Sequence, residues 1–182
     1  AQYVFAIIAR SIHRHALKVG TASRFICLNE WGGQLLAISY AVHVSKVIKA
    51  PLKFVYNWCT DFREDDNKIT GSKAKRIIVQ KTKERVIYIS TYKFRGKTFS
   101  GVNIVTLRPP KAWHLDFAGQ EDDEIGEYKL TRIGPRKTRL TMTFKGKYKI
   151  GKAPTKEENT KSVNQFWDKY IAALEKDCAR SK

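Results

Sequence analysis

The chain has 182 residues, enough for one ordinary domain with an extension and too few for two full domains. With 42% hydrophobic and 29% charged residues, 5 prolines and 11 glycines, its composition excludes collagen-like, linker-like and disordered proteins. The 35 Lys and Arg residues outnumber the 17 Asp and Glu residues. The resulting net charge of +18 predicts attraction to nucleic acid, anionic lipid or acidic partners.

The cysteines and the hydropathy of the N-terminal segment indicate the cellular compartment of the protein. Cys27, Cys59 and Cys178 are an odd number at wide spacing, which predicts free thiols in a reducing environment. The longest early apolar run, Tyr3–Ala9, is far shorter than the roughly 20 residues of a membrane span and lacks the flanks of a secretory signal. We therefore expect a soluble, cytoplasmic protein.

The chain divides near residue 41. Residues 1–41 hold four basic residues and one acid, whereas residues 42–182 hold 31 basic and 16 acidic residues. The first segment has no strong cap or period, the chain begins with Ala, and its only methionine is Met142. The segment is either a native N-terminal extension or sequence from upstream of the natural start. We expect the folded domain to occupy residues 42–182.

Residues 42–71 are predicted to form a strand, a short helix and a polar turn. Residues 42–50 alternate as in a strand, and Pro51 stands where a helix tolerates a missing N–H. The helix that follows has apolar residues at helical spacing: Leu52, Val55, Tyr56 and Cys59. Its turn carries four acids that lack the pattern of a calcium loop and are expected to cap and solvate it: Asp61, Glu64, Asp65 and Asp66.

From residue 72 to residue 149 the hydrophobic period is two residues. It predicts six antiparallel strands joined by turns: Ala74–Gln80, Arg85–Phe94, Thr98–Leu107, Ala112–Phe117, Gly126–Ile133 and Thr138–Ile150. In the last strand apolar and basic residues alternate, which predicts one buried face and one wet, basic face. The acid run Glu121–Glu124 is expected at a solvated hairpin tip.

A long helix is predicted after Pro154. Thr155 and Glu158 have the spacing of a capping box. An apolar stripe follows at helical spacing and must be buried against the sheet: Val163, Phe166, Trp167, Tyr170, Ile171, Leu174 and Cys178.

This order of elements resembles the helix-grip fold of the SRPBCC superfamily, which includes START lipid-transfer domains, polyketide cyclases, the birch-pollen allergen family and abscisic-acid receptors. The resemblance is carried by Val44–Phe62, by AWHLDFAG (Ala112–Gly119) and by Asn164–Lys176, and covers about residues 42–182. It implies an α+β fold, with a curved antiparallel sheet around the C-terminal helix and a cavity between them. Members of the superfamily bind hydrophobic ligands there, and a minority are cyclases or hydrolases.

The candidate ligand-binding residues are the apolar side chains that strand parity and the helix stripe turn inward. Pockets for small apolar ligands are lined in this way, although such residues can also simply fill a core. The candidates are Tyr88, Tyr92, Trp113, Phe117, Tyr128, Met142, Phe144, Phe166, Trp167 and Tyr170.

No catalytic, metal or cofactor site is legible in the sequence. His13, His15 and Cys27 are too few for a zinc site. His43 and His114 have the parity of the wet face. A cyclase or hydrolase would need a buried acid, histidine or arginine facing the cavity, and parity places none there.

We therefore expect non-catalytic binding or transport of a small hydrophobic or amphipathic molecule. The alternative is electrostatic binding of nucleic acid or another anionic partner by two basic strips, and a lipid carrier could use the same surface to contact anionic membranes. The third hypothesis is an enzyme of the cyclase or hydrolase kind. The strips are Lys145, Lys147, Lys149 and Lys152, and Lys73, Lys75, Arg76, Lys81, Lys83 and Arg85.

Overall fold

The computed structural model describes residues 38–63, 66–94, 96–149 and 153–181. The expectations for residues 1–37, Glu64, Asp65 and Lys152 lie outside this part of the chain. The described elements are β1 (Ile38–Ile48), α1 (Leu52–Cys59), α2 (Asp66–Thr70), β2 (Lys75–Lys81), β3 (Arg85–Phe94), β4 (Lys97–Arg108), β5 (Ala112–Gly119), β6 (Asp122–Gly134), β7 (Lys137–Tyr148) and α3 (Lys156–Arg180).

Seven antiparallel strands form one sheet in the order β1-β7-β6-β5-β4-β3-β2. Strands β2 to β7 pair with their sequence neighbours, because short turns join them. β1 instead pairs with β7, so β1 and β2 are the two edges. With α3 gripped by this curved sheet, the predicted α+β helix-grip fold is confirmed.

The long helix begins and packs as its sequence predicts. The Glu158 backbone N–H donates to Thr155 Oγ1 (3.1 Å), and the Thr155 N–H donates to Glu158 Oε2 (2.7 Å), which completes the capping box. Most of the predicted stripe is buried: Trp167, Tyr170, Ile171, Leu174 and Cys178. Phe166 differs, because 45% of its surface is exposed.

Polar side chains attach α3 to its neighbours along its length. Near its C-terminal end, the Trp58 indole N–H donates to Asp177 (3.0 Å) and the Lys49 backbone N–H donates to Glu175 (2.6 Å). Near the middle, Lys46 pairs with Asp168 at 2.7 Å. In its first turns the Tyr148 hydroxyl donates to Asn159 Oδ1 (2.9 Å). The helix runs alongside β1. Three of these four polar contacts lie between its middle and its C-terminal end.

Two strands begin four residues earlier than predicted, at Ile38 and at Asp122. β1 begins at Ile38, so residues 38–41 belong to the sheet, where Tyr40 pairs with Gly146 of β7. β6 begins at Asp122 instead of Gly126, so the acid run is not a solvated hairpin tip. The strand continues because its acids find partners on alternate faces: Asp123 accepts from Lys149, and Glu124 accepts from Tyr40.

The packing of α3 can be tested at Leu174, which is fully buried. Leu174→Ala should lower the free energy of unfolding by about 3 kcal/mol, because it removes buried methyl groups and leaves a cavity. Urea denaturation measures the change. The matched control is the exposed Lys176→Ala on the same helix, expected to change stability by less than about 0.5 kcal/mol. Similar small losses in both variants would contradict the packing.

Candidate ligand-binding cleft

Register places the inward side chains of the central strands in straight rows across the sheet. Trp113 of β5 lies opposite Tyr128 of β6, which lies opposite Met142 of β7. One row further along, Leu115, Gly126 and Phe144 are paired in the same way. Because side chains alternate between faces, all of these residues face α3.

Six of the ten candidate residues form one connected aromatic cluster. The Tyr128 ring stacks on Trp113 at 4.8 Å between centroids and contacts Phe144 (5.5 Å) and Trp167 (5.9 Å). Tyr170 extends the cluster by edge contact with Trp167 at 5.4 Å, and Phe166 stacks on Tyr170 at 5.6 Å. We call these six rings the aromatic wall: Trp113, Tyr128, Phe144, Phe166, Trp167 and Tyr170.

The other four candidates face the same way and lie outside the aromatic wall. Met142 is fully buried in the core. Tyr88 packs against Phe62 (5.8 Å), and Tyr92 stacks on Phe99 (6.0 Å) further along the sheet. The half-buried ring of Phe117 lies across Gly101 and Gly119, and a Cβ at either glycine would clash with it.

Burial differs between the two ends of the inner face. Toward one end, inward side chains of β3 to β7 are at most 4% exposed: Val86, Val105, Trp113, Leu130 and Leu140. Further along β3, β4 and β5, several inward side chains are only partly buried: Ser90, Tyr92, Phe99, Leu115 and Phe117. We call this partly buried part of the inner face, bounded by β3–β5 and by residues 166–170 of α3, the inner cleft.

Two tyrosine hydroxyls of the aromatic wall have no hydrogen-bond partner among the described residues. Those residues leave only three buried polar side-chain atoms without a partner, on Tyr56, Asp61 and Asn159. The hydroxyls of Tyr128 and Tyr170 are not among these three atoms, and both residues are over 90% buried. Burial raises the pKa of both hydroxyls, so both are neutral donors at physiological pH.

Two carboxyl groups also face inward, contrary to the expectation that no acid lies inside. Asp122 and Glu124 alternate with the outward-facing Asp123 on β6, and the Tyr40 hydroxyl donates to Glu124 Oε2 at 2.7 Å. Burial raises the pKa of Glu124, although the hydrogen bond from Tyr40 opposes the shift. Sequence reasoning missed these acids because four consecutive acidic residues are typical of a turn.

The acidic turn predicted after α1 includes one acid, Asp66, that is buried and ion-paired instead of solvated. Asp66 is 4% exposed and accepts from Arg76 Nη1 (2.7 Å) and from Arg63 Nε (3.1 Å). Arg76, expected in a basic outer strip, instead packs its guanidinium over the Tyr88 ring at 4.7 Å. A buried carboxylate requires such pairing, which explains the inward turn of this arginine.

The described histidines lie on the outer face, as expected. His43 is exposed and contacts Thr143. His114 pairs with Glu127 (2.7 Å) and Asp116 (3.1 Å). Within the described ranges, no group of His, Cys, Asp and Glu side chains could hold a metal ion.

Several solved structures share this fold, whereas comparison with protein-family models and with curated proteins gives no match. The Zhui aromatase/cyclase from Streptomyces sp. R1128 has a TM-score of 0.59 at 13% identity, over 79% of this chain and 95% of its own. A START superfamily protein from Mycobacterium smegmatis gives 0.56 at 16% identity, over 78% and 99%. Ara h 8.0201 gives 0.59 at 15% identity, also over 78% and 99%.

These similarities show the class of fold. The chain has a START-like helix-grip fold, as its sequence predicts. None of the helices in the described part of the chain has the length and hydropathy needed to cross a membrane.

The raised pKa of Asp122 predicts that the free energy of unfolding falls as the pH rises from 4 to 7. Burial, then repulsion from Glu121 and Asp123, raises the pKa of Asp122 to about 6. The folded state therefore binds this proton more tightly than the unfolded chain, so the group lowers stability as pH rises from about 4 to about 6. Asp122→Asn should raise the free energy of unfolding at pH 7 by about 1 kcal/mol, a value reduced by solvent screening of this part-exposed group.

Urea denaturation at pH 4 and pH 7 measures this effect, and the gain should nearly vanish at pH 4. Asp123→Asn is the matched control, because its carboxylate accepts from Lys149 and its removal should give no gain at pH 7. An equal gain for Asp122→Asn at both pH values would show that its cause is not this titration.

Proposed function

We propose that this protein binds a small, uncharged, hydrophobic or amphipathic molecule in the inner cleft, without converting it. One observation carries the proposal: the hydroxyls of Tyr128 and Tyr170 lie in an aromatic wall and have no hydrogen-bond partner among the described residues. An apolar ligand body would cover the rings, and an oxygen acceptor on it would receive the hydroxyl protons. The resemblance to a superfamily that binds hydrophobic ligands between sheet and helix supports the same proposal.

Nucleic-acid binding by the basic outer strips has less support. The outward Lys145 and Lys147 of β7 lie beside strand β6, whose outer face carries Asp123 and Glu127. Acidic side chains between the lysines repel phosphate groups and so weaken the binding of a nucleic-acid backbone. The inward turn of Arg76 removes a further cation from the second strip.

A neutral fluorescent probe, N-phenyl-1-naphthylamine, tests the proposal directly. Its fluorescence should rise on binding, and its affinity should change little between low and high salt, because apolar burial is insensitive to screening. Phe166→Ala should weaken the probe about fivefold by removing one ring contact. Phe166 suits the test because it is 45% exposed, so its loss should leave the fold intact.

Val47→Ala is the matched control, since Val47 is similarly exposed on β1 and points away from the cleft. The control should bind the probe as the unmodified protein does. An equal loss in both variants, or no probe binding at all, would refute a ligand site in the inner cleft. Steeply salt-dependent binding of single-stranded nucleic acid without probe binding would support the electrostatic alternative.

Glu124 supports a second candidate function, acid–base catalysis on the bound molecule. Its inward carboxyl is positioned by the Tyr40 hydroxyl, and burial raises its pKa, which is a property of a general acid. One of the structures that share this fold is named an aromatase/cyclase. In this case Glu124→Gln should abolish turnover of a reactive poly-carbonyl chain and retain probe binding, because glutamine still accepts from Tyr40. Turnover unchanged in Glu124→Gln would exclude this role.

A further inference from the structure

The outer face of β2, β3 and β4 carries a group of aliphatic side chains, whereas the sequence predicts a solvated, basic face. Register aligns Ile77 with Ile89 and Val102 in one row, and Ile87 with Ile104 in the next. Ile77 is 59% exposed on the edge strand, the three other isoleucines are half-buried, and Val102 is 6% exposed. We call these five side chains the outer apolar patch: Ile77, Ile87, Ile89, Val102 and Ile104.

The charged residues on the outer faces of β2, β3 and β4 are basic, and Asp116 of β5 lies opposite Ile104. Lys75, Arg85 and Lys93 are exposed, share the face of the outer apolar patch and have no ion-pair partner among the described residues. A fourth cation, Arg108, approaches Glu127 at 3.8 Å. The outer faces of these three strands carry no acid, whereas those of β5 and β6 carry Asp116, Asp123 and Glu127. We call Lys75, Arg85 and Lys93 the basic rim.

An apolar centre with a basic rim fits one kind of partner better than the others. In a symmetric dimer the same patch would face itself, which would place the basic rim against its own copy. Nucleic acid would pair with the cations and leave five aliphatic side chains without the aromatic stacking that such interfaces use. An anionic bilayer offers both phosphate groups for the rim and an acyl boundary for the patch.

We propose that the outer apolar patch and the basic rim form a docking surface for an anionic lipid bilayer. The isoleucines enter the boundary between headgroups and acyl chains, and the three cations contact lipid phosphates. The inner cleft lies on the opposite face of the same strands, so docking leaves it free. The surface is independent of the proposed ligand site, and either can fail without the other.

Co-sedimentation of the full chain with lipid vesicles tests the docking surface. Vesicles of phosphatidylcholine containing one-third phosphatidylglycerol should bind the protein, and vesicles of phosphatidylcholine alone should not. The double variant Lys75→Gln/Lys93→Gln should weaken binding by more than tenfold, given about fivefold for each cation near the surface.

The double variant Lys145→Gln/Lys147→Gln is the matched control for charge. It changes net charge equally but lies on β7, four strands or roughly 19 Å from β3, further than the screening length of about 8 Å. It should retain most of the binding. Equal losses in the two double variants would show diffuse attraction to the whole basic protein and would overturn the proposal.

Ile77→Gln tests the apolar part of the surface, with Val47→Gln as its matched control. Both residues are exposed aliphatic side chains on edge strands, and neither change alters the charge. Ile77→Gln should weaken vesicle binding about fivefold and Val47→Gln should not. Circular dichroism confirms that each variant is folded.

Three further outcomes overturn the proposal. The first is absence of binding to anionic vesicles, and the second is binding that Ile77→Gln does not weaken. The third is evidence for another partner, which would be a dimer seen in analytical ultracentrifugation or a complex with single-stranded nucleic acid. In that case Ile77→Gln would disrupt the dimer or complex and leave vesicle binding unchanged.

Discussion

Among the described residues, α3 and the shorter α1 cover only part of the inner face of a seven-stranded sheet, and most features of this protein follow from that constraint. An α-helix is about 10–12 Å across with its side chains, whereas seven strands spaced at roughly 4.8 Å span about 29 Å. Helix α3 packs on β1, and α1 packs on β6 and β7. On β3, β4 and β5, Val86, Val105 and Trp113 are buried, whereas inward side chains nearer the other end of these strands are partly accessible.

The chemistry of the inner face follows this division. Some of the least exposed inward residues are aliphatic, as at Leu130 and Leu140, because no water reaches them to satisfy polar groups. Hydroxyl and carboxyl groups also occur where the inner face is only partly buried, as at Ser90 and Glu124. The same face thus combines a core that determines stability with a surface that can recognise a molecule.

The sequence predicted the fold where the hydrophobic period was uninterrupted. The stripe and capping box of α3, and the strand alternation from Leu140 to Phe144, all correspond to the observed elements. The early start of β6 was missed because consecutive acids favour a turn, whereas Glu124 pairs with strands on both sides and accepts a hydrogen bond from Tyr40, more than eighty residues earlier. Such a contact between distant residues has no local signal.

The candidate site was less predictable than the fold. Parity correctly indicated which aromatic residues share a face, but contacts between rings depend on where α3 crosses the sheet. Arg76 has the parity of the inner face. Because the sequence contains many Lys and Arg residues, residue spacing alone could not predict that Arg76 is the one that pairs with the buried Asp66. On β3, Ile87 and Ile89 alternate with Val86 and Tyr88, so both faces are apolar and the period of two disappears.

The unequal attachment of α3 has a consequence for how molecules could reach the interior. Its C-terminal half is fastened by Trp58, Lys49 and the buried Leu174, while its first turns rely on the Tyr148–Asn159 hydrogen bond and the half-buried Val163. A helix held in this way frays from its weaker end at low free-energy cost. Brief separation of those turns from the sheet would admit a ligand while the aliphatic core stays closed.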